Sequence, residues 1–294
     1  MPSCNWEERL TIHLEHIINR ALNYAFCSAQ EFLQTLCSVL GANALEILAS
    51  GESHLFVGQR KALEACETFL TSLQGQRGSR LWVQGSPGSG KTRFLHEVRS
   101  RAEMRGIQTF AYRFFPGEPF SFQRFLSSIS KLSSISRDWR KRLSVQSSAE
   151  NPQQLATRFF EELNSYLTQT NQLLVITTDD FQHSDPFGKS FFSALLTQLA
   201  KQMPMQIGLV LASTEKAPFK SIPRVSLSLL NFRDSKKLLN QLIFPFQLDP
   251  EDEKRIITLS RGLPGLIHRC AHALKRSGSP NAVRTKSASS LLPL

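Results

Sequence analysis

The sequence predicts an α/β fold: a five-stranded parallel sheet flanked by helices, with a helical lid after it and a helical segment before it. Three observations carry that prediction. Strand-like apolar runs alternate with helix-period stretches from Gly78 to Leu229, and such alternation builds a parallel sheet through crossover helices. A glycine-rich loop, GSPGSGKT from Gly85 to Thr92, joins the short apolar run Leu81–Gln84 to the helical run that starts Arg93-Phe94-Leu95. A buried-type strand, Leu173 to Thr178, ends in two acids, Asp179 and Asp180. Open α/β sheets bind ligands at the carboxyl ends of such strands.

Composition narrows the class. The chain has 294 residues and is 41% hydrophobic, enough for one large domain or two modest ones with a real core. That excludes a disordered chain. No apolar run approaches the roughly 18 residues of a membrane span, so no membrane partner is expected. The N-terminus, MPSCNWEERL, lacks the apolar region of a secretory signal. Five cysteines without metal-type spacing read as reduced thiols in the cytoplasm. The net charge of +11 permits an acidic partner such as nucleic acid.

Taken in order, residues 1–52 form an N-terminal helical segment, with Trp6, Leu10, Leu14 and Ile17 at helical spacing. His13 and His16 share a face there but lack the further ligands a metal needs. The core occupies 53–230. It opens at Phe56-Val57-Gly58-Gln59-Arg60, continues in a helix with Leu63, Cys66, Phe69 and Leu70 on one face, and reaches the first strand and its glycine loop. The second strand is 108–114, closed by Pro116-Gly117. Two or three helices fill 120–170. One carries Arg137, Arg140, Lys141 and Arg142, which read either as a solvated face or as a nucleic-acid patch. The third strand ends at the acids, a helix follows Pro186, and 207–214 and 224–229 supply the last two strands. The lid, 231–277, has three helices at 233–244, 250–260 and 264–276. The polar, proline-bearing tail 278–294 is expected to be unfolded.

The loop carries the chemistry. GSPGSGKT matches G-x-x-x-x-G-K-[ST] with a strand before it and a helix after it, the context of a P-loop NTPase. Triphosphate oxygens must approach the main chain closely. Gly85, Ser86, Pro87, Gly88, Ser89 and Gly90 therefore form the cradle, and the helix N-terminus faces the anion. Lys91 reaches the β- and γ-phosphates, and the Thr92 hydroxyl suits Mg²⁺. Asp179 is the natural Mg²⁺ holder opposite Thr92. Asp180 reads either as the group that orients or deprotonates the attacking water or as a helix-capping acid. ATP and Mg²⁺ are the expected ligands, with Lys91 and Asp180 in catalytic roles.

From Phe56 to about Ser277, three quarters of the chain, the ordered motifs resemble the AAA+-related STAND ATPases, which include NB-ARC domains and the ATPase modules of large bacterial regulators. FVGQR resembles the F-V-G-R-E box. LLVITTDDFQHSDP resembles the second Walker motif, with Asp185 and Pro186 at the D-P places. IGLVLAST resembles the sensor strand, whose polar end can touch the γ-phosphate or water. RVSLSLLNFRDSKKLLNQLI resembles the approach to the lid, and SRGLPGLIH the G-L-P-L box. The resemblance implies that Pro264 lies against the nucleotide base; the bland reading makes it a helix start.

Departures temper what the resemblance implies. Gln59 stands where the family usually has arginine, and Ser213-Thr214-Glu215 lacks the arginine often found there. Asp180 is shorter than the usual glutamate, no arginine is marked out as a trans-acting finger, and the sequence ends after the lid helices. These imply slow hydrolysis and a nucleotide-dependent switch that works with a protein partner or as a nucleotide-dependent oligomer. The alternative is a DNA-associated AAA+ ATPase of initiator or transposition-helper type. The net charge favours that alternative. The GLPG box disfavours it, because initiator-type lids resemble G-D-x-R, with arginine where Gly265 stands.

Overall fold

A computed structural model describes residues 56–129, 151–201, 205–217, 222–244 and 247–277. The N-terminal helical segment, the Arg137–Arg142 cluster and the tail predicted above lie outside the described residues. In chain order the elements are α1 (Arg60–Gln74), β1 (Ser79–Gln84), α2 (Lys91–Glu103), β2 (Gln108–Arg113), α3 (Phe122–Ile129), α4 (Pro152–Thr170), β3 (Leu174–Asp179), α5 (Pro186–Lys201), β4 (Ile207–Ser213), β5 (Arg224–Ser226), α6 (Phe232–Ile243), α7 (Pro250–Ser260) and α8 (Pro264–Ser277). A single 3₁₀ turn, Phe181–His183, follows β3.

The five strands form one sheet in the order β2-β3-β4-β1-β5, and every pairing is parallel. Buried strands alternate their side chains between two faces, and here the faces differ in chemistry. Trp82, Phe110, Leu174, Ile176, Leu209 and Leu211 point into an aromatic-rich layer completed by α3, α4 and α5. Leu81, Val83, Val175, Val210, Ala212 and Val225 point into an aliphatic layer under α1 and α2. The lid helices bury a third cluster of their own, built on Leu239, Ile256, Ile257, Ile267 and Cys270.

Local chemistry sets the helix starts. Asn151 caps α4 by accepting from the Gln153 N–H at 3.0 Å, with Pro152 in the first turn. Asp249 and Pro250 do the same for α7, and Glu251, Asp252 and Glu253 face its N-terminal dipole. Asn231 caps α6 through the Asp234 N–H at 2.8 Å.

The fifth strand is three residues shorter than predicted. The sequence pattern extends β5 to residue 229, but the strand ends at Ser226. Leu227 N–H still donates to the Gln84 carbonyl at 2.8 Å. Beyond it the Gln59 side chain takes over the backbone of Ser228: its amide donates to the Ser228 carbonyl, and its Oε1 accepts from the Ser228 N–H at 3.1 Å. The opening box is thereby fastened to the exit of the sheet. Among the described residues, no helix is long and apolar enough to cross a membrane.

Candidate nucleotide-binding site

The site lies along the carboxyl ends of β1, β3 and β4. Gln84, the last residue of β1, pairs in register with Ser213 of β4 and Ser226 of β5. The glycine loop leaves from there, tied down by the Gly85 N–H donating to the Ser213 carbonyl at 3.2 Å and the Ser89 N–H donating to Ser86 at 3.1 Å. Gly90, at φ 97° where only glycine is unstrained, turns the chain into α2. The Ser89 hydroxyl is buried without a hydrogen-bond partner, so the loop keeps an unsatisfied polar atom.

Lys91 is only 7% exposed, and its ammonium sits over the loop, donating to the carbonyls of Gly85 at 2.9 Å and Ser86 at 3.2 Å. Burial pulls its pKa below the usual lysine value; the negative charges of Asp180 and Asp179 oppose that shift. The Thr92 hydroxyl donates to Oδ2 of Asp179 at 2.6 Å, so the two residues expected to hold Mg²⁺ come together from α2 and β3. Asp179 is buried, and its Oδ1 accepts the Asp180 N–H at 2.9 Å. This donor set, one hydroxyl and one carboxylate beside a phosphate cradle, fits Mg²⁺, which keeps most of its coordination for water and substrate oxygens. It is not a self-sufficient protein cage: no cluster of three or more His, Cys, Asp or Glu suited to a metal occurs among the described residues.

Asp180 is held differently. It adopts a left-handed backbone, φ 54°, at the start of the 3₁₀ turn, a conformation aspartate tolerates better than most residues. Arg113, the last residue of β2, approaches its Oδ2 with Nε at 3.0 Å and Nη2 at 2.9 Å. The Gln182 amide donates to its Oδ1 at 3.1 Å. Sequence reasoning missed both partners. The signal for Arg113 lay in register, since Arg113 stands opposite Asp179 across the β2–β3 pair. Asp185, matched to the D-P place, caps α5: its Oδ1 accepts from the Gly188 N–H at 3.0 Å and from Phe120 at 3.2 Å.

The lid meets the loop through main chain. The Gly265 N–H, in the first turn of α8, donates to the Gly88 carbonyl at 2.9 Å. A Cβ on Gly265 would lie 2.9 Å from Gly88 Cα, and one on Gly88 would lie 3.1 Å from Leu263 Cδ2. Pro264 puts its Cγ and Cβ 3.9 and 4.0 Å from where a Cβ on Gly90 would be. Gly262, φ 76°, sets this approach; a Cβ there would meet the Leu230 carbonyl at 2.2 Å. Lys91, Thr92, Asp179, Asp180, Pro264 and the glycine loop are thus gathered in one place.

Comparison with known proteins fits this arrangement. The family profile of the AAA ATPase domain matches residues 55–210, just over half of the chain, and the chain belongs to that family. It is an AAA+-type P-loop ATPase domain by family and by fold. No curated protein sequence matches it. Among solved structures it is similar to the Walker-type ATPase PABY2304 of Pyrococcus abyssi (TM-score 0.54, 13% identity, 78% of this chain and 71% of that one). It is also similar to Cdc6p from Pyrobaculum aerophilum (TM-score 0.53, 16% identity, 79% and 67%). A third similar structure is Drosophila ORC bound to DNA (TM-score 0.51, 14% identity, 84% and 64%). The chain spans about two thirds of the length of these proteins, and identities this low show a shared fold alone.

Proposed function

We propose that this protein binds Mg²⁺-ATP and hydrolyses it slowly, as a nucleotide-dependent switch of the STAND type. The observation that carries the reading is the main-chain contact between Gly265 of the lid and Gly88 of the phosphate loop. A triphosphate in that cradle changes what the loop presents to the lid, and a lid that responds to occupancy is a switch. Pro264, beside Gly90, is the residue in this reading that touches the adenine.

The residues divide the work. The loop N–H groups and the α2 N-terminus bind phosphate oxygens, and Lys91 turns from its two carbonyl partners to the β- and γ-phosphates. Thr92 and Asp179 would hold Mg²⁺, which supplies charge neutralisation on the phosphates. Asp180 orients the attacking water and accepts its proton. Its short side chain, paired with Arg113, supports a slow rate. The buried thiols of Cys66 and Cys270 fit a reducing, cytoplasmic setting. A protein partner or a nucleotide-dependent oligomer would read the lid.

A second reading, a DNA-associated ATPase, rests on the net charge of +11. Gly265 speaks against it, because the close approach to Gly88 leaves no room for the arginine that initiator-type lids carry there. One experiment addresses both: ATP binding and turnover of the purified protein, with and without duplex DNA, across salt concentration. The switch reading expects ATP binding, slow turnover and no DNA stimulation. DNA binding whose log K falls with log[salt] at a slope of about −0.9 per phosphate neutralised would replace it with the second reading. Absence of ATP binding would remove both.

A further inference from the structure

We propose that Gln182 is a positioning residue for hydrolysis, fixing the Asp180 carboxylate to the carboxyl end of β4; this rests on Asp180 being the group that handles the attacking water. Gln182 bridges two groups that come from different strands. Its Nε2 donates to Asp180 Oδ1 at 3.1 Å, and its Oε1 accepts the Thr214 N–H at 3.1 Å. The amide is suited to this because it carries a donor and an acceptor on one rigid plane.

The anchor at Thr214 is itself built firmly. Ser213 Oγ accepts the Glu215 N–H at 3.0 Å, and the Trp82 indole N–H donates to the Glu215 carbonyl at 3.2 Å. Trp82 is buried in β1 and holds Phe181 edge-on, ring centroids 5.7 Å apart. Phe181 also packs edge-on against Phe114 at 5.5 Å and Phe192 at 5.8 Å. The residue before Gln182 is therefore wedged into the aromatic layer, and the turn that carries Gln182 has a fixed origin. A chain of hydrogen bonds runs from the core indole through the end of β4 and Gln182 to one oxygen of Asp180.

The two oxygens of Asp180 consequently have unlike holders. Oδ2 meets Arg113, whose side chain is 57% exposed on the edge strand. Oδ1 meets Gln182, which is braced at both ends. An exposed arginine is free to leave toward solvent or toward another anion, whereas Gln182 stays. The carboxylate orientation that a water molecule would meet is set by the braced contact, and orientation of a catalytic group is worth large factors in rate.

The test uses the full chain, with Mg²⁺-ATP turnover measured by phosphate release and ATP binding measured by calorimetry. Gln182→Met keeps the size of the side chain but loses both hydrogen bonds; Gln182→Ala loses its bulk as well. Each variant should lower kcat roughly tenfold to a hundredfold with ATP affinity and melting temperature unchanged. In an Asp180→Asn background, Gln182→Ala should cost nothing further, because a residue that acts only through Asp180 has nothing left to position. A wild-type kcat in both single variants, a loss confined to KM, or full additivity with Asp180→Asn would overturn the proposal. Asp180→Asn alone separates the two layers. If it turns over as wild type does, or the wild type does not turn over, the role of Asp180 fails and the proposal with it. If it is slow while the Gln182 variants are fast, only the proposal fails.

Discussion

The two acids at the end of β3 are neighbours in sequence and opposites in setting. Asp179 is buried, bonded to Thr92 and to the next backbone N–H, and its partners come from the loop helix and its own strand. Asp180 is half-buried in a left-handed turn, and its partners are side chains from an edge strand and from the turn itself. The first belongs to a half of the site that is closed, with Lys91 folded over its own loop. The second belongs to a half in which one partner, the exposed Arg113, is open to exchange. On the proposed roles, binding and turnover should therefore be separable, because different elements would support them.

The largest effect is expected at the binding half. Lys91→Ala removes the charge that faces the β- and γ-phosphates, and calorimetry should show ATP binding lost with the fold intact. Unchanged binding would end the assignment of the loop.

Asp180→Asn should come next. It keeps shape and removes the base, so turnover should fall by about 10²–10⁴ while Mg²⁺-ATP binding persists; Asp179→Ala should instead weaken Mg²⁺-dependent binding. If both variants lose only binding, the two halves are one.

Lys91 also gives a proton signature. Its pKa is lowered by burial in the free protein, and bound phosphates favour its charged form. ATP binding should then take up a proton at alkaline pH, and affinity should fall as pH rises through the lowered pKa. Calorimetry in buffers of different ionisation enthalpy measures this directly, and an absence of proton uptake at any pH up to the ordinary lysine range would contradict it.

The smallest effect is expected at Pro264. Pro264→Ala should change the melting temperature of the free protein little, since an entropically useful proline contributes at most about 1 kcal/mol. If its ring meets the base, the ATP-induced thermal shift should shrink. An equal shift in mutant and wild type would leave Pro264 as a helix start.

The sequence showed the binding half more plainly than the turnover half, for a physical reason. A phosphate cradle is made of consecutive main chain, so its demands fall on adjacent residues, Gly85 to Thr92, and can be read in a line. Asp179 was legible because a buried strand that ends in an acid is unusual unless something at the site needs it. Arg113 was not legible because its relation to Asp180 exists only once β2 flanks β3, and Gln182 was not legible as a brace because its anchor at Thr214 arrives only once β4 flanks β3 from the other side. The overlong β5 has the same origin: its apolar alternation continues past Ser226, and only the fold reveals that Gln59 has taken the hydrogen bonds of Ser228.

The contact between Gly265 and Gly88 has a consequence for how such a device evolves and how it fails. A joint made of backbone to backbone has no rotamer to absorb a displacement. Nor can selection adjust it by degrees at position 265, as it can a salt bridge, because the choice there is a hydrogen atom or a wedge. Gly265→Ala would prise the joint open with a single methyl group, while leaving every charged group of the pocket in place. A contact of this kind has no side chain for alanine scanning to remove.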